Sequence, residues 1–331
     1  MACVQSARGE GSLVVRAFLS VDDVTSLVAE QFGADRRAVR LDRLTGGTKK
    51  GVYRLRLDDG ASAIIYVWAA DENYWPASET VPDDPFTDAS GAELFAANQT
   101  LLAAAGIRVP ELFLIDCGRR HLDADLVLAE DVGSETLETR MERDHSPLEV
   151  LGASLRRMHT TRGPEWGRPG TGTQTRPPHD MILDRALKHL SDAAARDARL
   201  AGAQSKIEDH LRTLHGHVPE RREFVLVHGE LGPDHVLMSA AGEPVMIDIE
   251  GLTYFDAEWE HAFLQLRFGE AYGELGPVNL DPHRLEFYRF AQVIGLIEGP
   301  LRIAGTDFPE RRWMLDLAEW NITKALAAIA C

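Results

Sequence analysis

Residues 222–252, REFVLVHGELGPDHVLMSAAGEPVMIDIEGL, decide how this chain is read, because three brief apolar runs sit there inside a region otherwise patterned for helices. A polar loop separates the first run from the second, and Ala241-Gly242 separates the second from the third. With the turn centred between Ala241 and Gly242, the hairpin pairs Ser239 with Pro244, Leu237 with Met246 and His235 with Asp248. Directly opposed residues have Cβ atoms about 4.5–5.5 Å apart, so this register sets an imidazole against a carboxylate, close enough to share a divalent ion. Glu230, in the loop just before, faces the same space. Phosphoryl transfer needs such a set: a metal to neutralise the β- and γ-phosphates and a carboxylate to orient or deprotonate the attacking hydroxyl. A hairpin with a solvated His and Asp at its open end fits the same local spacing.

Upstream, LDRLTGGTKKGVYRLRL (41–57) reads as strand, Gly-rich turn, strand, and ASAIIYVW (61–68) adds a strand after Asp58-Asp59-Gly60. A loop rich in Pro, Asp and Ser follows, then AELFAANQTLLAAAG has helical spacing and ends on Gly106. Extended segments run from Val109-Pro110 to LVLAED at Leu126–Asp131. Beyond Gly133 helical periodicity dominates up to the hairpin and again after Glu258. The pattern predicts an N-terminal lobe mainly of strands ahead of a larger helical lobe.

LVHGELGPDHVLM followed by VMIDIEGLTYFDAEWEHA resembles the catalytic and metal-binding segments of the aminoglycoside phosphotransferase family of antibiotic kinases. In that family an HGD loop supplies the catalytic Asp, an Asn five residues later binds metal, and an IDxE strand supplies a second metal carboxylate. The resemblance implies an α+β, bilobal, protein-kinase-like fold. Residues 1–131 would form the nucleotide-binding lobe, with a hinge near 128–133, and 132–331 the catalytic and acceptor-binding lobe. It implies catalytic roles for Glu230 and for His228, the loop's structural histidine, metal ligation by His235 and Asp248, and support of the catalytic loop by Asp256. Around the nucleotide it implies Gly46, Gly47, Thr48, Lys49 and Gly51 near the phosphates. It places Tyr66 on the third strand, Glu93 as the ion-pairing helix glutamate, and the backbones of Ala129 and Asp131 at the base. The cofactors implied are Mg²⁺ or Mn²⁺, with ATP or GTP as phosphoryl donor.

Three positions depart from the family pattern: Glu230 replaces Asp, His235 replaces Asn, and Tyr66 stands where a lysine bridges the phosphates. The first adds a methylene, and a displacement of that size can cost about a hundredfold in rate. Imidazole suits Mn²⁺ better than Mg²⁺, and His is also found at this place in macrolide kinases. Lys49 or Lys50 is within reach of the phosphates as a substitute for the lysine.

The formal net charge of −17 argues against a phosphate-backbone partner and favours a cationic ligand if the acidic groups line a cleft; it equally serves solubility. No GxxxxGK[ST] loop is present, which disfavours a P-loop kinase. Three scattered cysteines without metal spacing point to a reducing cytoplasm, and the N-terminus shows no leader pattern. No apolar run approaches the roughly 20 residues of a membrane span. The expectation is a monomeric or homodimeric O-phosphotransferase acting on an antibiotic. A choline, homoserine or sugar kinase and a nucleotide-binding pseudokinase stand as alternatives.

Overall fold

The computed structural model describes residues 16–76, 81, 83–87, 89–170, 174 and 176–330. The first fifteen residues, on which the reading of the N-terminus rests, lie outside them, as do Cys3 and Cys331; Cys117 is a free thiol.

After a short helix α1 (Thr25–Phe32), the chain forms β1 (Ala38–Arg43), β2 (Gly51–Leu57) and β3 (Ser62–Trp68). Helix α2 (Ala92–Ala104) follows, then β4 (Leu112–Asp116) and β5 (Asp125–Glu130). The five strands make one antiparallel sheet in the order β1-β2-β3-β5-β4. The period of two in β2 and β3 explains its two dry faces. Tyr53, Leu55, Ile65 and Val67 face Leu27 and Val28 of α1. Ile64 and Tyr66 face the other way, onto Phe95 and Leu102 of α2 and, through a continuous core, onto the C-terminal part.

Glycines close the predicted turns: Gly60 (φ +89°) between β2 and β3, and Gly106 (φ +74°) just past α2. Beyond β5 the chain is mainly helical, with α3 (Leu137–Met141) and α4 (Pro147–Met158), then, past β6 (Arg162–Gly163), α5 (Pro178–Ala194) and α6 (Ala198–His215). Strands β7 (Phe224–Val227), β8 (Val236–Met238), β9 (Pro244–Met246) and β10 (Thr253–Phe255) follow, and α7 (Ala257–Phe268), α8 (Pro282–Ile303) and α9 (Arg311–Ala328) complete the described chain. β7 lies between β6 and β10, while β8 and β9 form a separate hairpin. Helices α5, α6 and α8 bury Ile182, Leu190, Ile207, Leu211, Phe287 and Ile294 around one core. Strands ahead of helices is the order that the sequence pattern predicts, and it is the protein-kinase-like arrangement that the resemblance implies. No helix among the described residues is long and apolar enough to cross a membrane.

Candidate active site

The loop after β7 is held from three sides. Gly229 takes φ +95°, and a Cβ there would lie 2.8 Å from the Gly251 carbonyl oxygen, so the loop can run this close to the 249–251 turn only with glycine. His228 is fully buried and donates Nε2–H to the Ile247 carbonyl at 2.9 Å. Burial, helped by the neighbouring His235 ring, pushes the His228 imidazole down to about 4, so it is neutral near pH 7. From α7, Glu260 Oε2 accepts the backbone N–H groups of His228 and Gly229.

Glu230 follows with its side chain exposed. Its carbonyl accepts Nδ1–H of His235 at 2.7 Å, which fixes the tautomer and leaves the Nε2 lone pair free as an acceptor. That Nε2 lies 3.7 Å from Asp248 Oδ2 and 3.8 Å from Asp234 Oδ2. Asp234 is itself held by Arg267 at 2.7 Å.

The register behind this meeting differs from the one expected. Val236 pairs with Met246, Leu237 with Val245 and Met238 with Pro244, so His235 stands across from Ile247 rather than Asp248. The turn takes three residues, Ala240–Gly242, with Gly242 at φ +79° and Ser239 N–H bonded to the Glu243 carbonyl, and that odd residue slips the ladder by one. His235 and Asp248 converge nonetheless, because Asp248 leaves the strand in the left-handed region (φ +60°, ψ +45°). For a non-glycine residue this conformation costs about 1–2 kcal/mol.

Lys50 completes the cluster. Its ammonium lies 2.7 Å from Asp248 Oδ1 and also bonds Glu250, and the residue is 8% exposed. Burial alone would raise the Asp248 carboxyl, but Lys50, aided by His235, holds it well below the usual carboxylate range. At Glu250 burial prevails over the same ammonium and the carboxyl is raised. Tyr66, where the family carries its lysine, is packed against Phe95 at 4.9 Å between ring centroids, and burial pushes its phenol up to about 12. Lys50 immediately precedes Gly51, which pairs with Val67, and its ammonium stands 5.7 Å from the Tyr66 ring centre. An ammonium thus stands beside Tyr66, carried by the residue just before β2.

The glycine loop is tightly built where it meets its neighbours. A Cβ on Gly47 would lie 2.6 Å from the Lys50 carbonyl oxygen, and one on Gly51 would lie 2.5 Å from Glu72 Cδ; Gly46 is exposed at φ +98°. Thr48 accepts Trp75 Nε1–H at 2.9 Å, and the Lys49 ammonium lies 5.4 Å from the centre of the Trp75 ring. Ala129 is buried in β5, in register with both Ile64 and Leu112. The Asp131 carboxylate is bonded by Arg54 at 2.9 and 3.0 Å, and Arg54 also donates to the Gly133 carbonyl at 2.7 Å.

Two expected residues do not join the cluster. Glu93 is exposed on α2, which instead turns Phe95 towards Lys50 and uses Asn98 Nδ2 to hold the carbonyl of Ile249 at 2.9 Å. Asp256 does not brace the loop: it is buried against Arg284 (2.6 Å), the Tyr288 hydroxyl (2.5 Å) and Arg221 (3.4 Å), and so ties α7 to α8. One helical turn on, Glu260 does the bracing. Its signal was an acidic residue inside the apolar run AEWEHAF, where a carboxylate needs donors once buried. Lys50 and Glu250 were also missed as partners, since they are 200 residues apart in sequence.

The donor set suits a divalent cation: Asp248 supplies a carboxylate oxygen, His235 offers an imidazole lone pair 3.7 Å from it, and the ammonium bonded to Asp248 and Glu250 marks a seat for positive charge. An exposed carboxylate at Glu230 and a glycine-flanked loop border it.

No curated protein matches the chain. Among solved structures, a thermostable mutant of aminoglycoside phosphotransferase APH(4)-Ia, in ternary complex with ADP and hygromycin B, aligns with TM-score 0.60 at 17% identity, over 93% of this chain and 98% of that one. Choline kinase LicA from Streptococcus pneumoniae aligns with TM-score 0.62 at 15% identity, over 92% and 98%. Residues 43–288, from the end of β1 into α8, match the model of the phosphotransferase enzyme family (APH). With the fold and the family's motifs in the same order, the chain belongs to the phosphotransferase enzyme family, whose members are small-molecule kinases.

Proposed function

We propose that this chain transfers the γ-phosphoryl group of ATP or GTP to a hydroxyl of a soluble, cationic, antibiotic-type acceptor in the cytoplasm. The observation that carries the reading is the convergence of His235, Asp248 and Lys50 beside the exposed Glu230. Residues up to the connector at 128–133 bind the nucleotide, and the remainder carries the catalytic loop and the acceptor.

In this reading the backbone of Gly46–Gly51 borders the triphosphate, while Asp248 and His235 hold Mg²⁺ or Mn²⁺. When bound there, such an ion would supply positive charge against the phosphates. Glu230 orients the acceptor hydroxyl and takes its proton as the new O–P bond forms and the bond to the β-phosphate oxygen breaks. Positioning dominates such a loose transition state, which is why a glutamate can serve. The formal charge of −17 would favour a cationic acceptor if its acidic groups line the cleft, and it equally serves solubility. The choline kinase likeness supports a second reading, a metabolite kinase with a small quaternary or sugar acceptor.

The test is mass spectrometry of aminoglycosides, macrolides, nucleosides, choline and simple sugars after incubation with the protein, Mg²⁺ and ATP or GTP. Gain of one phosphoryl group by an antibiotic supports the first reading, and by choline or a sugar the second. If no acceptor is modified and Asp248→Asn leaves metal-dependent nucleotide binding unchanged, both fall.

A further inference from the structure

We propose that His179, Asp180 and His215 form a metal site of their own, taking a zinc-type transition ion that clips the start of α5 to the end of α6. The site shares no residue with the cluster around Asp248 and does not rest on the phosphoryl-transfer reading. Only residues 195–197 separate the two helices, so α6 runs back along α5 and brings His215 to His179, with 5.2 Å between ring centres. His215 Nε2 lies 2.7 Å from Asp180 Oδ1, His179 Nε2 lies 3.7 Å from the same oxygen, and one donor atom from each residue lies within 4.8 Å of the others. Zinc bonds of about 2.0–2.1 Å in a tetrahedron put neighbouring ligand atoms about 3.3 Å apart, between those two separations. Seating the ion draws the two rings together about the Asp180 oxygen, and water fills the fourth position.

His179 is what sets this cluster apart from an ordinary His–Asp pair. Its side chain is 9% exposed, its Nδ1 is buried with no hydrogen-bond partner among the described residues, and its Nε2 stands beyond hydrogen-bond distance of Asp180. A buried imidazole in that condition costs free energy, and a metal on Nε2 gives it a bond. Burial pushes the ring down to about 4, so near pH 7 it offers a lone pair. At His215 the metal takes the place of the proton shared with Asp180, and the ring carries its N–H on Nδ1 instead. The C-terminal end of α6 favours a cation, and the Asp180 carboxylate offsets the opposing positive end of α5. Arg284, the cation that bears on His179, is bonded to Asp256 at 2.6 Å. Two imidazoles and one carboxylate suit Zn²⁺, Co²⁺ or Ni²⁺ far better than Mg²⁺. Asp180 and His215 are 35 residues apart, so the ion closes the end of the hairpin that the connector leaves open.

The test is titration of the full chain with Co²⁺ in saturating Mg²⁺, read by the visible absorption of a tetrahedral ion, with Zn²⁺ as competitor and thermal unfolding with and without Zn²⁺ as the second readout. The wild type should give the tetrahedral band, lose it to Zn²⁺, and unfold at a higher temperature when Zn²⁺ is present. His179→Gln and His215→Gln should each weaken Co²⁺ by about a hundredfold and lose the thermal gain. Asp248→Asn, which leaves all three ligands in place, should keep both. His215 is only half-buried, so His215→Gln decides the matter if His179→Gln does not fold. Wild-type Co²⁺ affinity in His215→Gln overturns the inference. So does Co²⁺ that binds without the tetrahedral band, or a band that survives in the histidine variants and vanishes in Asp248→Asn.

Discussion

Glu260 on α7 accepts the backbone N–H groups of both His228 and Gly229, so a helix carboxylate holds the loop on the side that leads into Glu230. Removing it in Glu260→Ala strands two buried donors and should cost about 2–4 kcal/mol of stability. Glu260→Gln keeps one acceptor oxygen and should recover most of that loss. Urea unfolding of the three proteins at one pH checks the order.

Asp256 serves a different joint. Replacing Arg284, 1% exposed, by Met leaves the Asp256 carboxylate without its closest cation in the interior and should destabilise by about 3–5 kcal/mol. Nucleotide affinity of the folded fraction should stay near the wild-type value, because the pair joins α7 to α8. Comparing denaturant midpoints with calorimetric affinities decides the matter; a selective loss of affinity would return Asp256 to the loop.

Acid should unfold this protein from below neutrality. Burial pushes His179, His228 and His261 down to about 4 and His159 to about 3. A histidine depressed in the folded state contributes stability that is full above its ordinary value near 6.5 and is lost as the pH falls towards 4. Each can contribute on the order of 1–3 kcal/mol to that loss. Glu260 works in opposition: burial raises its carboxyl to about 7, so its contribution is present below about 4.5 and fades as the pH rises towards 7. Stability measured from pH 8 to pH 4.5 should fall on the acid side, and more steeply in Glu260→Gln than in the wild type.

Glu230→Asp tests whether the loop is built around the longer side chain. Its backbone is fixed by the His235 bond to the Glu230 carbonyl, so shortening by one methylene withdraws the carboxylate. Turnover should fall about a hundredfold with nucleotide affinity unchanged. Activity equal to or above the wild type would mean that the loop shifts to compensate.

The sheet was legible because its signals are local: alternation in GVYRLRL and SAIIYVW, and glycine at Gly60 and Gly106. The hairpin was legible in place but not in register, since two-residue and three-residue turns around Ala241-Gly242 look alike until the hydrogen bond from Ser239 to Glu243 is seen. His235 and Asp248 still come together, through a left-handed residue that periodicity does not announce. The pairing of Lys50 with Glu250 and the bracing by Glu260 were hidden for another reason. Their meaning lies in long-range charge pairing and in orphan backbone donors, neither of which has a sequence period. Glu93 misled because an acidic residue at a helix start is common on solvated faces, and here it occupies one.

Arg54 reaches from β2 across to Asp131 and the Gly133 carbonyl, so the connector is riveted to the sheet rather than strung loosely beyond it. Gly133 follows at φ +120°, which few other residues tolerate, and the chain is pinned on both sides of it, by Arg54 on its carbonyl and by Arg140 and Arg143 on Glu135. A side chain at Gly133 would therefore be felt as backbone strain at the point where the strands give way to helices.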